Sequence, residues 1–364
     1  MPGPIKSHYQ ADERGWAFRR AGAAGLIALL NPNGVPLPWS RIAHMRLEPA
    51  MELRDPGDDP TPHPPFGALF NSERAERLFA GSGHTYQEII EALRAGAPLP
   101  RFPLAVRLRA HVAASRSTAR SDNVIGVLPG SDPGLANEYV VLSAHLDHVG
   151  IGEPVNGDRV YSGAMDNASG VASLIEIARR LRGPETRPRR SVQFLAVTGE
   201  EKGLLGSRYF AAHPTVPGRI VADLNLDMVL PIFPLRYLEV QGLAESSLGE
   251  EIRAAAALAG VQVQADKEPE QNRFIRSDQY SFIRRGVPAL SFKFGYLPGT
   301  PEERIFHQFY QDRYHAPSDD LDQPVDLEAA AQLDAILEAV IRRVADADAR
   351  PEWRPDSFFR RFAR

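Results

Sequence analysis

From about residue 136 onward, short uninterrupted apolar runs alternate with segments whose apolar residues recur at helical spacing. Residues 139–144 (YVVLSA) and 191–197 (SVQFLAV) have the length of strands, and an unbroken apolar run indicates a strand covered on both faces. Between them, residues 166–181 carry a helical stripe made of Val171, Leu174, Ile175, Ala178 and Leu181. The same pattern predicts strands at 220–226, 237–240 and 289–294, and helices at 204–212, 247–259, 277–285 and 327–345. This order predicts an α/β fold, a three-layer sandwich around a mixed, mostly parallel central sheet.

The first 120 residues differ from the rest of the chain in their pattern of apolar and polar residues. Residues 55–65 are too rich in proline for regular structure, whereas residues 85–95 read as a helix in which Thr85 and Glu88 form a capping box. Apolar and polar residues alternate over 104–112, which predicts a strand with one solvent-exposed face. The second strand of a hairpin with it is expected from Asn123 onward. We therefore divide the chain into a smaller β-rich region (1–103), a main domain (104–346) and a C-terminal tail (347–364).

Acidic and imidazole side chains follow three of the predicted strands directly. His145 and Asp147 follow the first strand, Glu200 and Glu201 the second, and Asp227 the third. Ligands of open α/β sheets gather beyond the carboxyl ends of the strands, so these groups are expected at one edge. Each motif alone is weak, because a histidine at a strand end and acidic residues before a helix commonly have structural roles. Their joint placement at one edge of the sheet predicts a ligand-binding site there.

Two further residues complete a set that suits a pair of zinc ions: Asp166 in GAMDNASG and His315 in RYHAPSDD. Two such ions can share one carboxylate, and each then takes one histidine and one more carboxylate. A histidine ligand also needs its second ring nitrogen held, and Asp147 is two residues from His145 on an extended chain. Glu200 is left over, which makes it the candidate general base.

Composition narrows the classes of function. The chain has 364 residues, 43% hydrophobic and 24% charged, with a formal net charge of −4, which gives no indication of a nucleic-acid partner. It contains no cysteine, so thiolate zinc sites and thiol nucleophiles are excluded. No apolar run approaches the roughly 20 residues of a membrane span, and the first residues lack the apolar core of a signal peptide.

With these residues identified, the chain resembles the co-catalytic zinc exopeptidases, the family of bacterial leucyl aminopeptidase, aminopeptidase Y and glutamate carboxypeptidase. The motifs AHLDHVG, GAMDNASGVA, TGEEKGLLGS, NLDM, SDQYSF and YHAPSDDLD occur in the family's order over residues 120–346. The resemblance implies that His145 and Asp227 bind one zinc, that Glu201 and His315 bind the other, and that Asp166 bridges the two. It further implies that Asp147 orients His145 and that Glu200 activates a water bridging the two zinc ions, which hydrolyses an N-terminal peptide bond.

Residues 1–103 resemble part of the protease-associated domain of many members, through the phrase RAGAAGLI at 20–27. Such members carry a secretion signal and an opening helix and strand before that domain. The resemblance therefore suggests a truncated or misassigned start and a secreted or periplasmic location. Because the first residues show no signal peptide, a cytoplasmic location is the open alternative. The implied partner is a peptide substrate, and the oligomeric state stays open.

Alternatives follow from single residues. Gln279 stands where many relatives have histidine, which concerns substrate specificity more than the metals. Arg273 and Arg276 could bind a substrate carboxylate, which would favour a carboxypeptidase of the same fold. A glutaminyl cyclase, which has one zinc, is disfavoured because both His145 and His315 are present. An inactive receptor-like binding homologue is a further alternative; such a protein would have lost metal-ligating residues, whereas all five are present here. His148 is interpreted as a loop residue.

Overall fold

The structure, a computed structural model, describes residues 17–29, 39–44, 48–54, 66–183 and 187–363. The contacts divide the chain into two units. The smaller unit comprises Met1–Trp39 and Pro60–Arg120, and the larger unit comprises Ser40–Asp59 and Ser121–Arg364. All candidate site residues lie in the larger unit, as do residues 347–363 of the predicted tail. The predicted boundaries at 103 and 346 stay predictions.

The first elements along the chain are short: β1 (Leu26–Leu29), α1 (Trp39–His44), β2 (Gly67–Phe70), α2 (Glu76–Phe79) and α3 (Tyr86–Arg94). In the smaller unit β1 and β2 form a parallel pair. The predicted capping box of α3 is confirmed, because the Thr85 side chain accepts from the N–H of Glu88 and the Glu88 side chain accepts from the N–H of Thr85. Helix α1 enters the larger unit from Ser40 onward.

The larger unit is organised around one sheet. Its strands, in chain order and including a separate β5–β6 hairpin, are β3 (Val124–Leu128), β4 (Glu138–His145), β5 (Gly150–Val155), β6 (Asp158–Tyr161), β7 (Ser191–Val197), β8 (Arg219–Asn225), β9 (Tyr237–Gln241), β10 (Gln262–Ala265) and β11 (Ala289–Gly295). The seven strands of the sheet lie in the order β10-β9-β11-β8-β4-β7-β3. Four of the six pairings are parallel, and β11–β9 and β3–β7 are antiparallel. The predicted mixed, mostly parallel sheet is confirmed.

Helices cover both faces of the sheet. They are α4 (Ser169–Leu181), α5 (Leu205–Ala212), α6 (Leu248–Leu258), α7 (Gln279–Ile283), α8 (Pro301–Asp312) and α9 (Leu327–Asp346). On one face, Val141 of β4 and Val197 of β7 pack with Phe210 of α5 and Phe282 of α7. Val140 of β4 points to the opposite face, where α4 and α9 pack against the strand. This two-sided covering explains why every residue of β4 and β7 is buried. Within the described ranges, no helix is both long and apolar enough to cross a membrane.

One predicted hairpin is wrong. Residues 104–112 form no regular structure, and the expected partner, β3, pairs antiparallel with β7 at the edge of the main sheet. Alternation predicts a face but supplies no neighbour, and a strand needs a second strand to accept its backbone hydrogen bonds. The edge of β7 offers β3 that neighbour.

Candidate metal centre

The sheet order brings three sets of strand ends together. In the sequence β8-β4-β7 the strands are parallel neighbours, so their carboxyl ends lie side by side. His145 is the last residue of β4 and Asp227 follows β8. Nε2 of His145 lies 3.5 Å from Oδ1 of Asp227 and 3.2 Å from Oδ1 of Asp166. These three residues form the first half of the candidate centre.

The second half is built around the other oxygen of Asp166. Nε2 of His315 lies 3.3 Å from Oδ2 of Asp166 and 3.3 Å from Oε2 of Glu201. Asp166 therefore presents one carboxylate oxygen to each histidine. The five residues predicted as metal ligands meet around this one carboxylate.

Asp166 is held rigidly by its surroundings. It lies in the segment Ala164–Ala168 that precedes α4, where the backbone of Asp166 and Asn167 departs from helical geometry. Asp319 accepts hydrogen bonds from the backbone N–H groups of Met165 and Asp166, at 2.9 and 3.0 Å. The next side chain, Asn167, donates to the carbonyl of Leu226 at 2.7 Å. These bonds connect Asp166 to the end of β8 and to the loop after His315, so its position is fixed by tertiary contacts.

Asp147 contributes in two ways. Its backbone carbonyl accepts a hydrogen bond from Nδ1 of His145 at 3.0 Å, so Nε2 is the nitrogen left to face Asp166 and Asp227. Its carboxylate accepts from the backbone N–H groups of Glu200 and Glu201, at 3.1 and 3.3 Å. The residue predicted to orient His145 contacts it through the carbonyl, while the side chain orients the Glu200–Glu201 turn.

The electrostatics of the centre are dominated by its carboxylates. Burial lowers the pKa of His145, yet the neighbouring Asp166 and Asp227 outweigh burial and raise that pKa well above 6.5. Burial raises the pKa of Asp166, but the contacts with His145 and His315 hold it well below its usual range. Asp166 is therefore ionised at neutral pH, in a buried position that favours a balancing positive charge.

Glu200 stands apart from this cluster. Burial, with the charges of Asp227 and Asp278, raises its pKa well above 4.5, although His145 acts in the opposite direction. Its backbone N–H is bound by Asp147, and no hydrogen bond to its carboxylate is found among the residues that the structure describes. A carboxyl group without such a bond and with a raised pKa is suited to taking up and releasing a proton.

His148 is a site residue that the sequence interpretation missed. Its Nδ1 donates to Oε1 of Glu201 at 2.9 Å and lies 3.9 Å from Oδ2 of Asp166. The three residues offer ligand atoms within 4.8 Å of one another, as do His145, Asp166 and Asp227. His148 lies in the loop three residues after His145, and this spacing by itself does not indicate a contact with Glu201.

Other predicted neighbours have structural partners. Gln279 is fully buried, accepts from Nδ2 of Asn225 at 2.7 Å and donates to the carbonyl of Phe274 at 2.9 Å. Arg273 is paired with Glu268 at 2.7 Å, whereas Arg276 is exposed. Lys293, which the sequence interpretation did not single out, is buried on β11 and donates to the carbonyl of Asp227 at 3.2 Å.

Comparison with known proteins relates the sequence to one family. The sequence model of peptidase family M28 matches residues 123–341. A protein of Aspergillus oryzae described as "probable leucine aminopeptidase 2" is 30% identical over 181 residues, which are 46% of this chain and 32% of that protein. A "Probable zinc metalloprotease" of Pyrenophora teres f. teres is 35% identical over 108 residues, 29% of this chain and 22% of that protein. The chain thus matches a third or less of the length of these relatives.

A solved structure has a similar fold. The aminopeptidase from Aneurinibacillus sp. strain AM-1 superposes with a TM-score of 0.50 and 21% identity, covering 93% of this chain and 65% of that one. At this identity the likeness concerns the fold alone.

Proposed function

The chain belongs to peptidase family M28, and from that premise we propose that it is a dizinc aminopeptidase that hydrolyses N-terminal peptide bonds. One observation carries the proposal: the two oxygens of Asp166 face two separate groups, each containing a histidine and a further carboxylate. The names of the relatives, a leucine aminopeptidase and a zinc metalloprotease, support the same activity.

The residues fit zinc. Imidazole nitrogens and carboxylate oxygens are its common protein ligands, and this set offers two of the former and three of the latter. Nε2 of His145 and Oδ1 of Asp227 are buried without a hydrogen-bond partner among the described residues, as expected of atoms whose partner is a cation. In the proposed arrangement His145 and Asp227 hold one ion, Glu201 and His315 hold the other, and Asp166 serves both. When bound, the pair supplies a Lewis acid for the scissile carbonyl.

The proton transfers belong to Glu200. In the proposed reaction its carboxylate takes a proton from the attacking water and later gives it to the leaving amine. Burial and the neighbouring carboxylates raise its pKa, which favours the uptake of the proton that it later gives to the amine. Asp147 supports this role by fixing the backbone N–H of Glu200.

Arg276 is exposed and keeps the carboxypeptidase alternative open, but the state of Arg273, the other arginine considered, argues against that alternative. The guanidinium of Arg273 is already paired with Glu268 at 2.7 Å and lies over the ring of Tyr310, 5.2 Å from the centroid. A group committed to these contacts is a poor receptor for a substrate carboxylate.

The proposal is tested by incubating zinc-loaded protein with a panel of aminoacyl-nitroanilides, which have free amino groups, and with a panel of peptides whose amino termini are blocked. We expect hydrolysis of the free-amine substrates, loss of that hydrolysis on chelation and its return when zinc is restored. Cleavage of the blocked peptides alone would exclude an aminopeptidase. Binding of less than one zinc per chain after loading would exclude the dizinc centre.

A further inference from the structure

A segment far along the chain from the site motifs contacts residues that are next to two of the proposed metal ligands. Residues 40–44 of α1 and residues 48–54 belong to the larger unit, although the chain continues into the smaller unit on either side. We refer to these two described stretches as the strap. Two of its charged residues make these contacts: Arg41 binds the carbonyl of Tyr314, next to His315, and Glu48 binds Lys202, next to Glu201.

The first contact is made by Arg41 at the end of α8. Its guanidinium donates to the carbonyls of Tyr314 and Gln311, each at 2.8 Å, and to that of Tyr310 at 3.3 Å. The last carbonyls of a helix have no partner within the helix and carry its negative dipole end. A planar guanidinium with several donors is well suited to bind them together.

This contact bears on His315 directly. The carbonyl of Tyr314 belongs to the peptide bond that leads into His315, and His315 has a positive φ of 52°, which residues other than glycine adopt infrequently. The ring of Tyr314 also packs on the imidazole of His315, with 4.0 Å between centroids. Arg41 therefore restrains the peptide plane and the neighbouring ring that set the direction of this imidazole.

The second contact is made by Glu48, in the other stretch of the strap. Its carboxylate binds Nζ of Lys202 at 2.7 Å, and both side chains are mostly shielded from solvent. Lys202 directly follows Glu201 in the turn after β7. Because the pair is shielded, it restrains this turn more than a surface ion pair would.

We propose that Arg41 and Glu48 are positioning residues, which hold His315 and Glu201 in place for the same half of the metal centre. Both restrained residues belong to the half that excludes His145 and Asp227. The inference rests on the proposed function, since it assigns the strap to one of the two proposed zinc sites. Loss of an outer partner of a metal ligand typically weakens metal binding by about 10–100-fold, so this half should weaken selectively.

The test measures zinc affinity of the full chain rather than turnover. Metal-free wild type, Arg41→Ala and Glu48→Gln are titrated with zinc against a chromophoric chelator, and His315→Ala and His145→Ala identify which binding phase belongs to which half. Arg54→Ala is the matched control, because Arg54 is an exposed arginine of the same strap.

His315→Ala should abolish one binding phase. We expect Arg41→Ala to lower the zinc affinity of that same phase by about 10–100-fold, and to leave the affinity of the other phase within about twofold of wild type. Glu48→Gln should change the same phase in the same direction, and Arg54→Ala should match wild type. Added methylguanidinium should restore part of the affinity of Arg41→Ala, which a general loss of structure would not allow.

Two phases unchanged in Arg41→Ala, or weakened equally, would overturn the inference while leaving the dizinc proposal intact. If Arg41→Ala does not fold, as judged by circular dichroism, Glu48→Gln decides by the same criterion. If wild type binds no zinc at all, the proposed function fails first, and that outcome is distinct from a failure of the strap.

Discussion

At the residue scale, Asp166 is the group on which the candidate centre depends. It is almost completely buried, and each of its oxygens lies within 3.3 Å of a different histidine. A carboxylate this deeply buried is costly unless it is paired, and both partners are imidazoles that can also bind a cation. The hydrogen bonds from Met165 and Asp166 to Asp319 fix its direction, so the two halves keep their separation.

Glu200→Gln is the residue-scale prediction. The amide cannot take up a proton, so we expect turnover to fall by about 10²–10⁴-fold, the usual contribution of a positioned acid–base group. Zinc content should stay at the wild-type level, because Glu200 is outside the proposed ligand set. The measurement is nitroanilide hydrolysis alongside metal analysis of the same preparation, with the exposed Glu328→Gln as control. A variant of near-normal rate would remove Glu200 from its proposed role.

Part of this site could be predicted from the chain. His145, Glu201 and Asp227 stand at the ends of recognisable strands, and parallel strands deliver their ends to one edge. His148 could not be assigned, because its distance from the strand end does not reveal that Glu201 lies 2.9 Å away. The two-residue spacing of His145 and Asp147 predicted a contact between them. It could not show that the acceptor is the backbone carbonyl of Asp147 rather than its side chain.

At the element scale, helix α8 and the loop after it place His315. Thr300 caps the helix by accepting from the N–H of Glu303, and Pro301 occupies the first turn. Threonine, proline and a glutamate three residues on form a recognised start signal, so this helix was predictable, although it is not among the helices predicted from the apolar pattern. Its other end could not be inferred locally, since its carbonyls are bound by Arg41.

The contact between α4 and α9 gives an element-scale prediction. Asp334 of α9 is buried, which raises its pKa from 3.8 to about 6, against the opposing effect of a hydrogen bond from Ser173 of α4. Because the folded-state pKa is raised, the stability associated with the protonated group is complete below about pH 4 and is lost as the pH rises through 6.

Asp334→Asn should therefore increase the free energy of unfolding at pH 8 by on the order of 1–2 kcal/mol, with a gain that shrinks as the pH falls toward 4. Urea unfolding at both pH values measures this, with Glu328→Gln on the exposed face of the same helix as control. A gain that is equal at both pH values, or absent at pH 8, would contradict a raised folded-state pKa of Asp334.

At the scale of the whole molecule, the sheet is the frame that gathers the centre. The candidate residues extend from 145 to 315, and β8, β4 and β7 bring three of their segments to one edge. The carboxylates gathered there repel one another in the folded chain but are dispersed in the unfolded chain. A cation that binds only the folded state offsets this repulsion and stabilises the fold through mass action.

Removal of metal should accordingly lower the thermal stability of the chain. At a free zinc concentration about 100 times the dissociation constant, binding to the folded state alone contributes about 2.7 kcal/mol per site. We expect a chelator to lower the unfolding midpoint, and the decrease to be smaller in His315→Ala, which lacks one proposed ligand. Scanning calorimetry with and without chelator measures both. Equal midpoints would show that the folded chain has no higher affinity for zinc than the unfolded chain.

The amino-acid sequence by itself determined the α/β class, the order of the main elements and most of the acidic and imidazole residues at the sheet edge. These properties depend on local spacing, since an apolar run and the residue after it are neighbours along the chain. The tertiary structure alone decided which side chains meet: Asp319 with the Asp166 turn, His148 with Glu201, and Arg41 with the carbonyl of Tyr314, 273 positions away. Such contacts form only after the chain has packed, because local periodicity carries no information about partners so far apart.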